Sequence, residues 1–456
     1  MMQKTLKEIA VWANGEVVGP DTNRIEVAGV STDTRTIEKA NLYIPIVGEN
    51  FNGHDFVTGA IKNGAVGALW QKDQPNSPAD VPLIYVDDTL VALQELAKNY
   101  LASLPAKVIA ITGSNGKTTT KDMVTSVLST TYKVQKTEGN YNNHIGLPLT
   151  ILRLQEDTEI VVLEMGMSGR GEIELLSNLA QPEAAIITNI GESHLQDLGS
   201  REGISEAKFE ITAGLRENGT LIIHGDEPLL TEKVDQSPFH VITFGNSETN
   251  DYCPAHIQQK SNGTYFTLKD EAETEYFIPV LGKHNVNNAL SAIAISKQMN
   301  VSIPDIKKGL EAIKITGMRT ELIQGKDGVT VINDAYNASP TSMRAAIDLL
   351  QDLKHYKKKI VVLGDMLELG DKEETFHFEV GKGIDKEKIN EVITFGQLGR
   401  KIAEGAKVNF PENRVFAYND KQALIAKLKG TVEEGDIVLL KGSRGMKLEE
   451  VVYELT

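Results

Sequence analysis

Hydrophobic positions in this chain gather in short runs, separated by stretches in which apolar and polar residues alternate at helical spacing. VIAIT from Val108, EIVVLEM from Glu159, AAIITNI from Ala184 and TLIIHGD from Thr220 read as buried strands. They are rich in β-branched residues and bounded by turn formers. KTTTKDMVTSVLST, from Lys117, carries the helical pattern between the first two. Strands alternating with helices in this way predict a parallel sheet with crossover helices.

The pattern changes on either side. Before Val108, VGALW and LIYVDD read as strands around a polar, proline-rich loop from Gln71 to Pro82. A helix is expected from Thr89 to about Ser103, stopped by Pro105. From Asp251 to Val280 the β-like runs are shorter, as in TYFTLKD and EYFIPV, and the helix NNALSAIAISKQM follows. Gly317 opens a second alternation: VTVIND, a helix after Pro340, then KIVVLGD, EVITFG, RVFAYN and DIVLLKG. The reading is an α/β protein of three domains, residues 1–104, 105–316 and 317–456, with ligands in the clefts between them. A length of 456 residues fits two to four domains, each able to bury its own core.

Charge narrows the partners. With 47 basic and 63 acidic residues the formal charge is −16, which speaks against a nonspecific nucleic-acid binder. A local loop can still attract small anions. The single cysteine, Cys253, rules out a disulfide framework within the chain and speaks against a thiolate metal cluster. Lys7 and Glu8 interrupt the apolar residues near the start, so no signal peptide is expected. No run is apolar enough to span a bilayer, and a cytoplasmic location is the expectation.

Candidate chemistry begins at Gly113-Ser114-Asn115-Gly116-Lys117-Thr118-Thr119, between a strand and a helix. Glycines let backbone N–H groups converge on phosphate oxygens, and the helix start adds a favourable dipole. Lys117 can reach the β and γ phosphates of ATP, and the Thr118 hydroxyl can ligate Mg²⁺. The loop is two residues shorter than the usual phosphate-loop spacing. Glu164, closing its strand, is placed to hold Mg²⁺. His194 and Lys208 follow the next strand; taken alone each reads more readily as structural or solvated than as functional. Asn285 and Asn288, three apart at a helix start, can offer amides to a purine edge or cap the helix. Asn333 to Pro340, Gly364 to Gly370 and Lys441 to Arg444 each follow a strand, and together they suggest one binding face.

TGSNGKTTTK, TEGNYNNHIGLP, EMGMSGRGEI, NIGESHL, GKHNVNNALSA, GMRTE, NDAYNASP and GDMLELG, in that order, resemble the Mur ligase family over nearly the whole chain. NYNNHIGLP, NDAYNASP and GDMLELG look most like its dipeptide-adding branch. The resemblance implies an N-terminal α/β domain for a UDP substrate, a central phosphate-loop ATPase domain with a mostly parallel sheet, and a C-terminal Rossmann-like domain. It implies amide formation through an acyl phosphate, with ATP, two Mg²⁺ ions, and UDP-MurNAc-tripeptide and D-Ala-D-Ala as substrates; a monomer is the default expectation. On the same ground Lys117, His194 and Lys208 would be catalytic, and Thr118, Glu164, His194 and a carbamylated Lys208 would serve metal. Asn285 and Asn288 would lie beside adenine, with Arg319 near phosphate and Asp334 near ribose. Ser31, Asp33, Thr34, Arg35, Asn52, Gly53 and His54 fit the uridine-nucleotide region. Thr137, Asn140, Asn142, Asn143, Tyr336 and Asn337 would meet substrate. A sibling ligase adding one amino acid, folylpolyglutamate synthase, a phosphate-loop kinase and a regulatory nucleotide binder are the alternatives.

Overall fold

In the computed structural model, which describes residues 2–19, 22–235 and 237–456, the apolar runs form strands close to the expected ends. Those of the middle region are Lys107–Thr112, Ile160–Glu164, Ala184–Ile187 and Thr220–His224. Both faces of these strands are covered, so they read as continuous apolar runs rather than as alternation. With Val134–Lys136 and His240–Phe244 at the edges they make a six-stranded parallel sheet. Its register pairs Glu164 with Ile111 and Ile187 with Thr112, so three central strands end side by side. The loops that follow them share the edge at which α/β sheets bind ligands.

One face of this sheet carries the loop helix Lys117–Leu128 and the long helix His284–Gln298. The short β-like runs form an antiparallel sheet, Pro254–Lys260, Gly263–Leu268 and Glu271–Ile278. Phe266, Tyr276 and Ile278 of that sheet fill the same core.

The other face departs from expectation. Leu93, Leu96 and Tyr100 of helix Thr89–Ala102 pack in one continuous cluster with Leu149, Leu152 and Leu176 of the middle region. The Tyr100 hydroxyl donates to the Leu154 carbonyl at 2.8 Å, and the Met2 N–H to the Leu152 carbonyl at 3.3 Å. A separate core for each unit was the expectation; the first unit has a small one of its own, with Tyr43, Val57, Trp70 and Leu83, and shares the larger cluster with the middle unit. Its five-stranded sheet includes two strands of two residues, Val30–Ser31 and Leu42–Tyr43. A unit that small gains burial by leaning on its neighbour.

The C-terminal sheet has six strands in the order Glu321–Gln324, Thr330–Asp334, Ile437–Lys441, Lys359–Gly364, Glu391–Phe395 and Val415–Tyr418. All its pairings are parallel except that of Glu321–Gln324. Asp334 pairs with Lys441, and Lys441 with Leu363, which gathers the three polar loops on one edge. Among the described residues, no helix is long and apolar enough to cross a membrane.

Candidate active site

The loop after strand Lys107–Thr112 turns sharply into its helix. Gly113 has φ +148° and Gly116 has φ +83°. A Cβ at Gly113 would lie 1.8 Å from Thr188 Oγ1, and one at Gly116 would lie 2.6 Å from Asn288 Oδ1. Glycine is therefore required at both positions by backbone conformation and by close neighbours. The next strand's end braces the loop. Ser114 N–H donates to the Asn189 carbonyl at 3.1 Å, Asn115 N–H to Asn189 Oδ1 at 2.9 Å, and the Thr188 hydroxyl to the Asn115 carbonyl at 2.6 Å.

The first helical bond runs from Thr120 N–H to the Gly116 carbonyl at 2.8 Å. The N–H groups of Lys117, Thr118 and Thr119 therefore have no acceptor within the helix, and this end attracts anions. Ser114 Oγ and Asn115 Nδ2 are buried without a partner. Lys117 Nζ donates to the Gly113 carbonyl at 2.8 Å. Burial pushes its pKa down, Glu164 opposes that, and Arg319 adds to it.

The loop forms one wall of a cleft with about 1090 Å³ of empty space, mouth included. Ser114 to Thr119, Asn142, Glu164, Asn285 and Asn288 face Arg319, Asp334, Tyr336 and Asn337 across it. The Arg319 guanidinium lies over the Tyr336 ring, 4.2 Å from its centroid, and Arg319 Nε is buried without a partner. Asp334 accepts from Lys441 Nζ at 2.6 Å and from Thr320 N–H at 3.0 Å. Neither asparagine of the long helix is a cap. Asn285 Nδ2 donates to the Leu281 carbonyl at 2.8 Å, Asn288 Nδ2 to Asn285 Oδ1 at 2.9 Å, and Asn288 Oδ1 accepts from the Thr120 hydroxyl at 3.3 Å. This chain seats the long helix on the loop helix.

Buried Glu164 accepts from the Thr118 hydroxyl at 2.8 Å and from Asn142 Nδ2 at 2.9 Å. Hard oxygen donors so close together beside a phosphate-type loop suit Mg²⁺, which keeps waters and substrate oxygens for its other positions. His194, at φ +63°, stands at the start of the short helix Leu195–Leu198. Its Nδ1 lies 2.8 Å from Glu368 Oε2 without the alignment of a hydrogen bond. Burial lowers its pKa, and Glu368 opposes that. Lys208 is fully buried; burial carries its pKa well below the ordinary value, and Lys117 pushes in the same direction. Among the described residues, no three His, Cys, Asp or Glu side chains converge on one point. As an amine Lys208 is no partner for a cation; as a carbamate it would present oxygens.

The remaining candidates lie elsewhere or have internal partners. The Thr137 hydroxyl accepts from Glu164 N–H at 3.0 Å, and Asn143 Oδ1 accepts from Gly146 N–H at 2.8 Å, at the start of helix Gly146–Leu152. Asn140 is exposed. In the first unit the Ser31 hydroxyl donates to the Asp33 carbonyl at 2.9 Å, and Asn63 Nδ2 donates to the Thr34 carbonyl at 3.0 Å. Hydrogen bonds from exposed Arg35 hold the Asp33 carboxyl down at about 2. Asn52 and His54 line a separate recess with Trp70 and Gln74. Both His54 ring nitrogens have partners, Asn52 Oδ1 at 2.7 Å and Gln71 N–H at 3.1 Å. Gly53 lies against Ile46, whose N would be 2.6 Å from an added Cβ.

Sequence reasoning did not single out Asn189, His284, Thr320, Thr341 or Ser342, all of which line the cleft with Lys441. His284 immediately precedes Asn285 and so carried a signal, and Lys441 opens the basic loop already noted. Two contacts across the cleft carried none: the Thr341 hydroxyl donates to Glu192 Oε1 at 2.9 Å, and Glu368 reaches His194.

A strand–loop–helix cradle completed by the polar edge of another α/β unit defines a phosphate-loop nucleotide-binding protein. More narrowly, the chain belongs to the Mur ligase family. It matches the Mur ligase family catalytic domain at residues 26–101, the Mur ligase middle domain at 111–296 and the Mur ligase glutamate ligase domain at 318–444. It is 54% identical to the UDP-N-acetylmuramoyl-tripeptide–D-alanyl-D-alanine ligase of Bacillus subtilis, with 100% of this chain and 99% of that protein covered. The crystal structure of MurF from Acinetobacter baumannii superposes with a TM-score of 0.91 at 30% identity, over 100% of this chain and 99% of that one. The MurF ligase of Thermotoga maritima in complex with ADP gives 0.82 at 28% identity, over 94% and 97%.

Proposed function

We propose that this protein joins D-alanyl-D-alanine to the terminal carboxylate of UDP-N-acetylmuramoyl-tripeptide, converting ATP to ADP and phosphate. The observation that carries the reading is the single cleft in which the Lys117 loop and the Thr118–Glu164 pair face Arg319 and Asp334. The full-length likeness to the Bacillus subtilis ligase supplies the substrates. The product would be the UDP-MurNAc-pentapeptide used for peptidoglycan, made in the cytoplasm by a monomer.

Residues 1–104 would hold the UDP end, 105–316 the ATP and 317–456 the dipeptide. Backbone N–H groups of the loop would hold the ATP phosphates, and Lys117 would leave the Gly113 carbonyl to neutralise the β and γ oxygens. Asn285, Asn288 and Asp334 would orient the nucleoside, and Arg319 would meet the phosphates. Ser31, Asp33, Thr34 and Arg35 would contact uridine nucleotide, Asn52 to His54 the sugar or peptide path, and Thr137, Asn140, Asn142 and Asn143 the tripeptide. Tyr336 and Asn337 would meet the incoming dipeptide. Attack of a carboxylate on the γ-phosphate brings anions together, so Lys117 and Arg319 act where charge is greatest. An acyl phosphate then forms, and attack by the amine must precede attack by water, which a closed cleft excludes.

Thr118 and Glu164 would hold one Mg²⁺, and His194 with a carbamate on Lys208 a second. Such ions supply further charge neutralisation on phosphoryl oxygens. The decisive test is incubation with ATP, Mg²⁺, UDP-MurNAc-tripeptide and D-Ala-D-Ala, followed by mass spectrometry. Pentapeptide formed only with all components is expected. Phosphate released equally without the dipeptide would point instead to an ATPase.

A further inference from the structure

Asp122 lies on the loop helix but outside the cleft, and is 3% exposed. Its Oδ1 accepts from Lys136 Nζ at 2.7 Å and has Lys121 Nζ at 3.8 Å. Its Oδ2 accepts from both the N–H and the hydroxyl of Thr316, at 2.9 and 2.8 Å. Thr316 belongs to the segment that leads from helix Ile303–Glu311 to the first C-terminal strand. That segment presents Arg319. Met318 and Thr320, on either side of the arginine, have φ of +64° and +53°, a region that side-chain-bearing residues avoid. Such conformations persist when their surroundings over-determine them. The far end is pinned: Met318 N–H donates to Glu321 Oε2 at 2.9 Å, and Thr320 N–H to Asp334 Oδ1 at 3.0 Å. The near end is held by Asp122.

We propose that Asp122 is a positioning residue for Arg319: it ties the start of this segment to the helix that carries Lys117, so the loop and the arginine move as one body. The idea rests on the reading of Arg319 as a nucleotide contact. A phosphate drawn onto the loop helix would find the guanidinium already aimed, and a shift of the helix would carry the segment's start with it. The bland account is that Asp122 only balances Lys121 and Lys136.

A double-mutant cycle separates the two. Binding of a non-hydrolysable ATP analogue with Mg²⁺ would be measured by calorimetry on Thr316→Val, Thr316→Ser, Arg319→Ala and Thr316→Val/Arg319→Ala. Asp122→Asn, alone and with Arg319→Ala, provides a second route should the valine variant fold poorly, and thermal midpoints check folding throughout. Thr316→Val should weaken binding about fivefold, Thr316→Ser should restore it to within about twofold, and Thr316→Val should cost less than about twofold once Arg319 is gone. Equal losses in both backgrounds, or a serine that restores nothing, would overturn the coupling alone. An Arg319→Ala variant with unchanged affinity would overturn the coupling and the role of Arg319 together.

Discussion

The two walls of the cleft are built differently. On the middle unit's side the cleft is faced by backbone N–H donors at a helix start, with Lys117 and Glu164 beside them, in a loop fixed by two glycines in positive-φ conformations and by bonds to Thr188 and Asn189. On the C-terminal side they are long side chains: Arg319 against Tyr336, and Asp334 against Lys441. Buried Leu281 of the middle unit joins the C-terminal core, and Asp122 holds the segment that leads to Arg319. Other bridging contacts are polar and partly exposed: Thr341 to Glu192, Ser339 Oγ to Asn115 Oδ1 at 3.4 Å, and Lys283 to Asp352 at 3.1 Å. Contacts of this kind contribute about 0–1 kcal/mol each. One wall is thus a preformed cradle, and the other presents long charged side chains to it.

If that contrast is right, the largest losses come from the cradle. Lys117→Ala should lower kcat by about a thousandfold or more, since a single group stabilising transition-state charge contributes at that level. Steady-state turnover with all substrates measures it, and activity within tenfold of wild type would remove the loop lysine from the chemistry. Gly113→Ala should come next. Its Cβ would collide with the Thr188 hydroxyl that braces the loop, in a backbone conformation strained for alanine. We expect KM for ATP to rise about a hundredfold with only a modest fall in the thermal midpoint, because the clash is confined to the loop. An unchanged KM would show the cradle to be less rigid than described.

The same contrast explains what was legible in the sequence. Strands covered on both faces, such as Ile160–Glu164 and Ile360–Val362 within Lys359–Gly364, announced themselves as apolar runs. The edge strands Val134–Lys136 and Glu321–Gln324 did not, because half-exposed strands carry polar residues. The cradle was legible because its parts are consecutive: glycines, lysine and threonine on one turn. The bracing was not. Asp122 meets Thr316 across 194 positions and Glu192 meets Thr341 across 149, and no local spacing encodes such pairs. For the first unit, motif likeness gave Asn52 and His54 as ligand groups. In the structure both ring nitrogens of His54 have local partners, Asn52 Oδ1 and Gln71 N–H, which the motif alone did not show.

The C-terminal wall should fail more gently. Asp334→Asn removes the charge that faces buried Lys441 but keeps an oxygen for Thr320 N–H. Charge-assisted bonds of this kind contribute about 1.5–3 kcal/mol. KM for ATP should rise about tenfold, and the chain should lose stability on that scale in urea titrations. A loss matching that of Gly113→Ala would mean that both walls are equally preformed.

The smallest effect tests the scaffold beneath the C-terminal wall. His377, fully buried, has Nδ1 2.7 Å from the Glu373 carbonyl, while Nε2 accepts from Met366 N–H at 2.8 Å, in the loop that carries Glu368. An Nε2 that accepts is unprotonated, so the ring is neutral with its proton on Nδ1. Burial lowers its pKa below the ordinary 6.5; the bond to Glu373 and the charges of Asp365 and Glu373 oppose that only in part. The sign follows. Above 6.5 the ring is neutral folded and unfolded, and its contribution is complete. As pH falls below 6.5 the unfolded chain takes up the proton first, so stability drops until the folded pKa is passed. His377→Gln keeps an acceptor for Met366 N–H and cannot titrate. Its thermal midpoint should therefore sit slightly below wild type at about pH 8 and fall less steeply towards about pH 5. Parallel curves for the two proteins would mean that this ring does not report on acid, and that the loop bearing Glu368 is held by its backbone, as the phosphate cradle is.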